Sequence, residues 1–166
     1  FNLDDYYKIG KELGSDVNFF YKGGTQLGFG RGEKLHPVKL SLNGYFLVLY
    51  PNLEISAKYA YQNLEKKVLT NNKNNYIIIN LLKNIKKDKL FDIAKNDLQL
   101  YLIKTFPILG DLIALLRNAG ARIALVSGSG SCVYGYFDTP PKLIKIKKHK
   151  GIAHFLAQKC WGVAKR

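Results

Sequence analysis

The sequence contains no methionine, two cysteines, and 12 acidic residues against 26 lysines and arginines in 166. Each scarcity removes a class of explanation. A translation product starts on Met, whereas this chain opens "FNLDDYYKIG", which reads as a segment of a longer chain or a processed form. Cys132 and Cys160 make no disulfide framework and lack metal-ligand spacing, which fits a reducing compartment. His36, His149 and His154 form no HExxH or comparable pattern, so they read as surface residues and no metal site is expected. Long apolar runs are missing as well. The longest, "YFLVLY", falls far short of a membrane span, and no signal-peptide pattern is evident, so no membrane partner is expected.

The shortage of acids leaves a net charge of +14, which invites a nucleic-acid reading. The basic residues are of the wrong kind for it. Lys outnumbers Arg 22 to 4, and Asn is abundant, as in "TNNKNN". Specific phosphate and base recognition favours Arg, whose fork engages two acceptors at once. The runs "KNIKKDK" and "KLIKIKKHK" therefore read as solvated surface, of the kind that drift in an AT-rich genome produces. No nucleic-acid partner is expected. A basic RNA-binding α/β module stands as the alternative, and it predicts binding that weakens steeply with salt.

What is present suits a folded chain. Hydrophobic residues make up 47% and aromatics 13%, enough for one compact domain, or one domain plus a piece of another. "NLDDYYKIGKELG" reads as an amphipathic helix with an apolar stripe of Leu3, Tyr6, Tyr7 and Leu13, ended by Gly14. "TQLGFG" and "EKLHPVKLSL" read as two strands joined by the Gly30-Arg31-Gly32 turn. "GYFLVLYP" is a buried strand closed by Pro51. A helix from about Ser56, capped by that serine, carries Tyr59, Tyr61, Leu64 and Val68. "NNKNN" is a loop, and "YIIINLLKNI" reads as a short helix. "LFDIAKNDLQLYLIKTF" and "PILGDLIALLRNAG" are two helices parted at Pro107, the second ended by Gly120. "ARIALVS" and "CVYGYFD" form a hairpin through "GSGS"; a lysine-rich helical stretch follows, and "CWGVAK" is the expected final strand. This order predicts an α+β sandwich with helices on one face of an antiparallel sheet, without internal repeats.

Two stretches promise chemistry. In "GSDVNFF" a carboxylate, Asp16, separates a Gly-Ser pair from a mostly apolar run. A buried, unpaired carboxylate is costly, so Asp16 should cap a helix, pair with a cation or react. In "SGSGS", Ser127 to Ser131, small residues permit close backbone approach and positive φ, and free N–H groups in such a turn can bind an anion. The same turn also serves as an ordinary tight connection between strands.

Order along the chain adds what single motifs lack. "LGSDVNFFYKGGTQLGFGRGEKLHPV" is followed by "YPNLEISAKYAY", then "KNDLQ" and "FPILGDLIALLRNAGA", then "VSGSGSCVYGYF". This series resembles the C-terminal half of the 4-diphosphocytidyl-2-C-methyl-D-erythritol kinases, a GHMP-superfamily group of the non-mevalonate isoprenoid (terpenoid) pathway. The family pattern runs G-A/S-D-V-P-F-F, G-G-T-A, G-R-G-E, P-x-x-x-V-S-T-x-x-A-Y, N-D-L/F-E and S-G-S-G-S/A-C-V-F. The resemblance covers nearly the whole chain and is weakest at Tyr76–Lys87 and after Pro140.

The resemblance implies a GHMP-kinase type two-lobe fold, with residues 1–40 ending the N-terminal lobe and 41–166 forming the C-terminal domain. It implies ATP- and Mg2+-dependent phosphorylation of the 2-hydroxyl of a cytidine-diphosphate-linked methylerythritol, in a bacterial cytoplasm or plastid stroma. Asp16 takes the family's acid–base position. Gly128, Ser129, Gly130 and Ser131 belong to the glycine loop that borders the active-site cleft. Tyr61 takes the place of an aromatic that stacks on the cytosine, and Ser56 stands among the substrate-binding positions. Oligomeric state is left open. There are departures: Asn18 replaces a usual Pro, a backbone matter, and Ala57 replaces a usual Thr, removing a hydroxyl from the substrate side. The nucleotide loop P-x-G-A-G-L-G-G-G-S-S and the lysine that accompanies the aspartate have no counterpart here, so this segment alone is expected to be inactive. A degenerate kinase half with a structural role is the remaining alternative.

Overall fold

The computed structural model describes residues 2–14, 16–30, 32–38, 42–62, 87–142 and 151–158. They fall into two compact units, one before Leu42 and one from Leu42 onward. Several expectations lie outside the described residues: Leu64, Val68, the "NNKNN" loop, the "YIIINLLKNI" helix, the lysine runs for the most part, His149 and Cys160.

In the first unit, helix α1 (Leu3–Leu13) starts with a capping box. Asn2 Oδ1 accepts from the Asp5 N–H at 3.0 Å, and Asp5 Oδ2 accepts from the Asn2 N–H at 2.9 Å, so two orphan donors are satisfied reciprocally. Helix α2 (Val17–Lys22) packs back onto α1. Its Asn18, only 3% exposed, donates from Nδ2 to the Tyr7 carbonyl at 3.2 Å. Gly10 makes room for that contact, since a Cβ there would collide with Asn18 Oδ1. Tyr21 stacks on Tyr6 and meets Tyr7 edge-on. The buried stripe of α1 thus differs from the one expected: Leu13 is 73% exposed, and buried Gly10 takes the central place because the side chain of Asn18 docks there. Strands β1 (Gln26–Phe29) and β2 (Lys34–Pro37) form the expected antiparallel hairpin.

The second unit contains β3 (Tyr45–Tyr50), α3 (Ala57–Gln62), α4 (Lys87–Ile93), α5 (Gln99–Thr105), α6 (Pro107–Asn118), β4 (Ile123–Val126), β5 (Val133–Phe137) and β6 (Ala153–Gln158). The sheet runs β4-β5-β3-β6, every neighbouring pair antiparallel. One face, Leu47, Leu49, Ala124, Val126, Val133 and Phe137, forms a single core with the helices. Helix α6 supplies Leu109, Leu112, Ile113 and Leu116, the spacing of one helical face, and Pro107 occupies its first turn.

Three details depart from expectation. The stretch "LFDIAKNDLQLYLIKTF" is two helices, because Asn96 Oδ1 accepts from the Leu98 N–H at 3.0 Å and makes a side-chain turn that competes with the helix. The helices are not confined to one sheet face: Phe91 of α4 packs on Tyr136, which alternates to the opposite face from Val133 and Phe137. The guanidinium of Arg122 covers Phe91 in turn. Finally, β6 is a strand in the stretch expected to be helical, drawn into place by pairing along the length of β3; the expected strand "CWGVAK" lies outside the described residues. No single helix among the described residues is long and apolar enough to cross a membrane.

Candidate active site

The glycine turn links β4 to β5. Gly128 and Gly130 have φ of 54° and 90°, the left-handed region that glycine enters without a steric penalty. The Ser127 N–H donates to Cys132 O at 2.8 Å and the Gly130 N–H to Ser127 O at 2.9 Å, closing the turn. A Cβ on Gly130 would lie 3.1 Å from Ile55 Cδ1, so the dihedral disfavours a side chain and Ile55 would have to give way to one. Ser131 is 5% exposed, and its hydroxyl donates to the Leu53 carbonyl.

Two side chains that sequence reasoning gave no role hold the turn from the α4–α5 break. Asn96 Nδ2 donates to the carbonyls of Val126 and Gly128, both at 2.8 Å. Gln99 Oε1 accepts from the Val126 N–H at 2.9 Å. The visible signal was "KNDLQ", one of the stretches that carry the family resemblance. With these bonds made, the N–H groups of Gly128, Ser129 and Ser131 carry no hydrogen bond among the described residues. Unpaired amides in a turn suit an anionic oxygen such as a phosphate's.

Ser131 also ties the turn to the segment that leads into α3, through Leu53. Ser56 behaves as a helix cap: its Oγ accepts from the Tyr59 N–H at 3.4 Å. Fully buried Ala60 anchors α3 in the core. Tyr59 lies against Phe106, and its hydrogen bond with Tyr101, then the charge of that phenol, then burial, hold the Tyr59 hydroxyl above its ordinary pKa. Tyr61 differs. It is 61% exposed and has no ring partner among the described residues. Ala57, the first residue of α3, is exposed.

Asp16 sits in the first unit, at the N-cap position of α2, with φ −93° and ψ −11°. Its backbone carbonyl accepts from the Phe19 and Phe20 N–H groups. The side chain makes no capping bond, is exposed, and has no ion pair or hydrogen bond among the described residues. Among the described residues this carboxylate has neither a cap bond nor an ion pair. Asn18, where the resembled family has Pro, does more than fit the backbone, since its buried amide fastens α2 to α1. Among the described residues no group of three His, Cys, Asp or Glu side chains gathers.

Residues 81–149 match the family model described as GHMP kinases C terminal. The 4-diphosphocytidyl-2-C-methyl-D-erythritol kinase of Caldanaerobacter subterraneus subsp. tengcongensis is 36% identical over 155 residues, covering 90% of this chain and 52% of that protein. The same-named kinase of a Sulfurihydrogenibium species is 36% identical over 128 residues, covering 77% and 46%. A crystal structure of 4-(cytidine 5'-diphospho)-2C-methyl-D-erythritol kinase superimposes with a TM-score of 0.65 at 26% identity, over 81% of this chain and 48% of that one. A homoserine kinase from Cytophaga hutchinsonii superimposes with a TM-score of 0.61 over 85% and 49%, and at 15% identity shows a shared fold alone. The mixed helix and antiparallel-sheet fold is that of the GHMP kinases, and residues 81–149 match their C-terminal domain. Within that class it is similar to the 4-diphosphocytidyl-2-C-methyl-D-erythritol kinases, and it spans about half the length of those relatives.

Proposed function

We propose that the chain is the C-terminal portion of an ATP-dependent kinase that phosphorylates the 2-hydroxyl of 4-diphosphocytidyl-2-C-methyl-D-erythritol in non-mevalonate isoprenoid biosynthesis. The observation that carries the reading is the Asp16 carboxylate, in the motif "GSDVNFF", left without cap bond or ion pair among the described residues. An alcohol is a poor nucleophile. A carboxylate within reach orients it and accepts its proton as the new O–P bond forms. ATP supplies the phosphoryl group when bound, and the remaining work is positioning and electrostatic stabilisation. Tyr61, exposed and unstacked, offers a face to the cytosine. Ser56 starts the helix that carries Tyr61, and its hydroxyl adds a polar contact on the substrate side. The amides of Gly128, Ser129 and Ser131 hold an anionic oxygen. Residues 1–40 end the N-terminal lobe of the kinase fold, and residues 41–166 form its C-terminal domain. The setting is the cytoplasm of a bacterium, or a plastid stroma.

Calorimetric titration of the chain with the cytidyl substrate and with single-stranded RNA, from low to high salt, tests this reading. Saturable binding of the substrate that survives added salt supports the kinase. Binding confined to RNA, with affinity falling steeply as salt rises, returns the molecule to the basic-module alternative. The chain alone should not turn over substrate, since the phosphate-binding loop of the family has no counterpart in it.

A further inference from the structure

We propose that Asn96 is the positioning residue of the glycine turn, and that through it the α4–α5 break aims the amide N–H of Ser129 for an anionic oxygen. The proposal rests on the reading of the turn as part of a phosphoryl-transfer site. A turn containing two left-handed glycines has many accessible backbone states, so something outside it must select one. Asn96 lies 30 residues before Val126 and reaches both Val126 O and Gly128 O with one Nδ2 group, while its Oδ1 accepts from the Leu98 N–H. Both donors and the acceptor of the carboxamide are thus in use. The flipped amide would set Oδ1 against two carbonyl oxygens, so the partners determine its orientation.

The consequence for the turn follows from peptide planarity. The carbonyl of Gly128 and the N–H of Ser129 belong to one planar trans unit and point in opposite directions. Fixing Gly128 O on Asn96 therefore turns the Ser129 N–H away from Asn96, where no protein acceptor among the described residues takes it. Gln99 secures the residue in front, holding the Val126 N–H, so the turn leaves its strand from a fixed point. Neither side chain need touch a ligand for this. They set a direction.

Asn96→Asp tests the idea, because it keeps the acceptor for Leu98 and replaces the two donors by an oxygen facing two carbonyls. Hydrogen exchange on the chain itself should show the Gly130 amide, which closes the turn on Ser127 O, exchanging at least about tenfold faster, with the β3–β5 amides unchanged. In the kinase, kcat/KM should fall at least about tenfold while the melting temperature holds within a few degrees. Unchanged exchange at Gly130 would overturn the clamp. Faster exchange with wild-type kcat/KM would overturn its part in the reaction. If wild-type protein has no kinase activity, the functional reading fails, and the exchange arm still decides the clamp. Should Asn96→Asp not fold, Gln99→Met, which keeps bulk and loses the acceptor, should speed turn exchange about threefold, and Gln99→Glu, which keeps it, should not; equal behaviour of the two would also overturn the proposal.

Discussion

Asp16 and the glycine turn are placed by opposite strategies. The turn is held from several sides at once: Asn96 and Gln99 grip its backbone from the α4–α5 break, and buried Ser131 fastens it to Leu53. Asp16 is held only through the backbone at the start of α2, and its carboxylate engages nothing among the described residues. On the proposed function, the difference separates two duties. A group that must change protonation state is left uncommitted, because any partner would fix its charge. A group that must present dipoles in one direction gains from being over-determined, because preorganised donors need no rearrangement when charge develops.

The contrast can be broken at either end. The largest effect is expected at the turn. Gly130→Val forces a β-branched residue to φ near +90° and into Ile55, and should lower turnover of the kinase at least about a hundredfold, read by steady-state kinetics on folded protein. Wild-type turnover would leave the turn a mere strand connection. A smaller effect is expected at Tyr61. Tyr61→Ala should weaken binding of the cytidyl substrate by about 1–3 kcal/mol, and Tyr61→Phe should keep most of it, both measured by calorimetry. Equal losses would assign the contact to the hydroxyl and not to the ring.

The smallest effect on chemistry should come from Asn18. Asn18→Ala removes a buried bond and leaves the Tyr7 carbonyl without that donor, costing about 1–3 kcal/mol of stability in the first unit by urea unfolding. Amide exchange in the glycine turn should be untouched. A matching loss of protection there would show that the two regions are not placed independently.

Much of this arrangement was legible in the sequence. Helix α6 starting at Pro107, both hairpins and the Ser56 cap follow from periodicity, proline and glycine placement and capping chemistry. What was hidden depends on contacts between distant residues. The apolar period of "LFDIAKNDLQLYL" runs unbroken through the point where Asn96 breaks the helix, and only its bonds to Val126 and Gly128 explain that choice. The stripe of α1 was misjudged because Gly10, which adds nothing to a hydrophobic pattern, is where α2 docks. Nothing in the spacing of Phe91 tells which face of the sheet it covers. For the site, the motifs marked Asp16 and the turn, while the residues that orient the turn were visible only once it was folded.

The most direct test of the account is the kinetics of Asp16→Asn in the kinase. The substitution keeps size and one acceptor oxygen and removes charge and basicity. Since the carboxylate makes no cap bond, the fold should not depend on it. The account predicts turnover lowered at least about a hundredfold, with substrate affinity and melting temperature little changed. Normal turnover, or loss of activity only through unfolding, would contradict it.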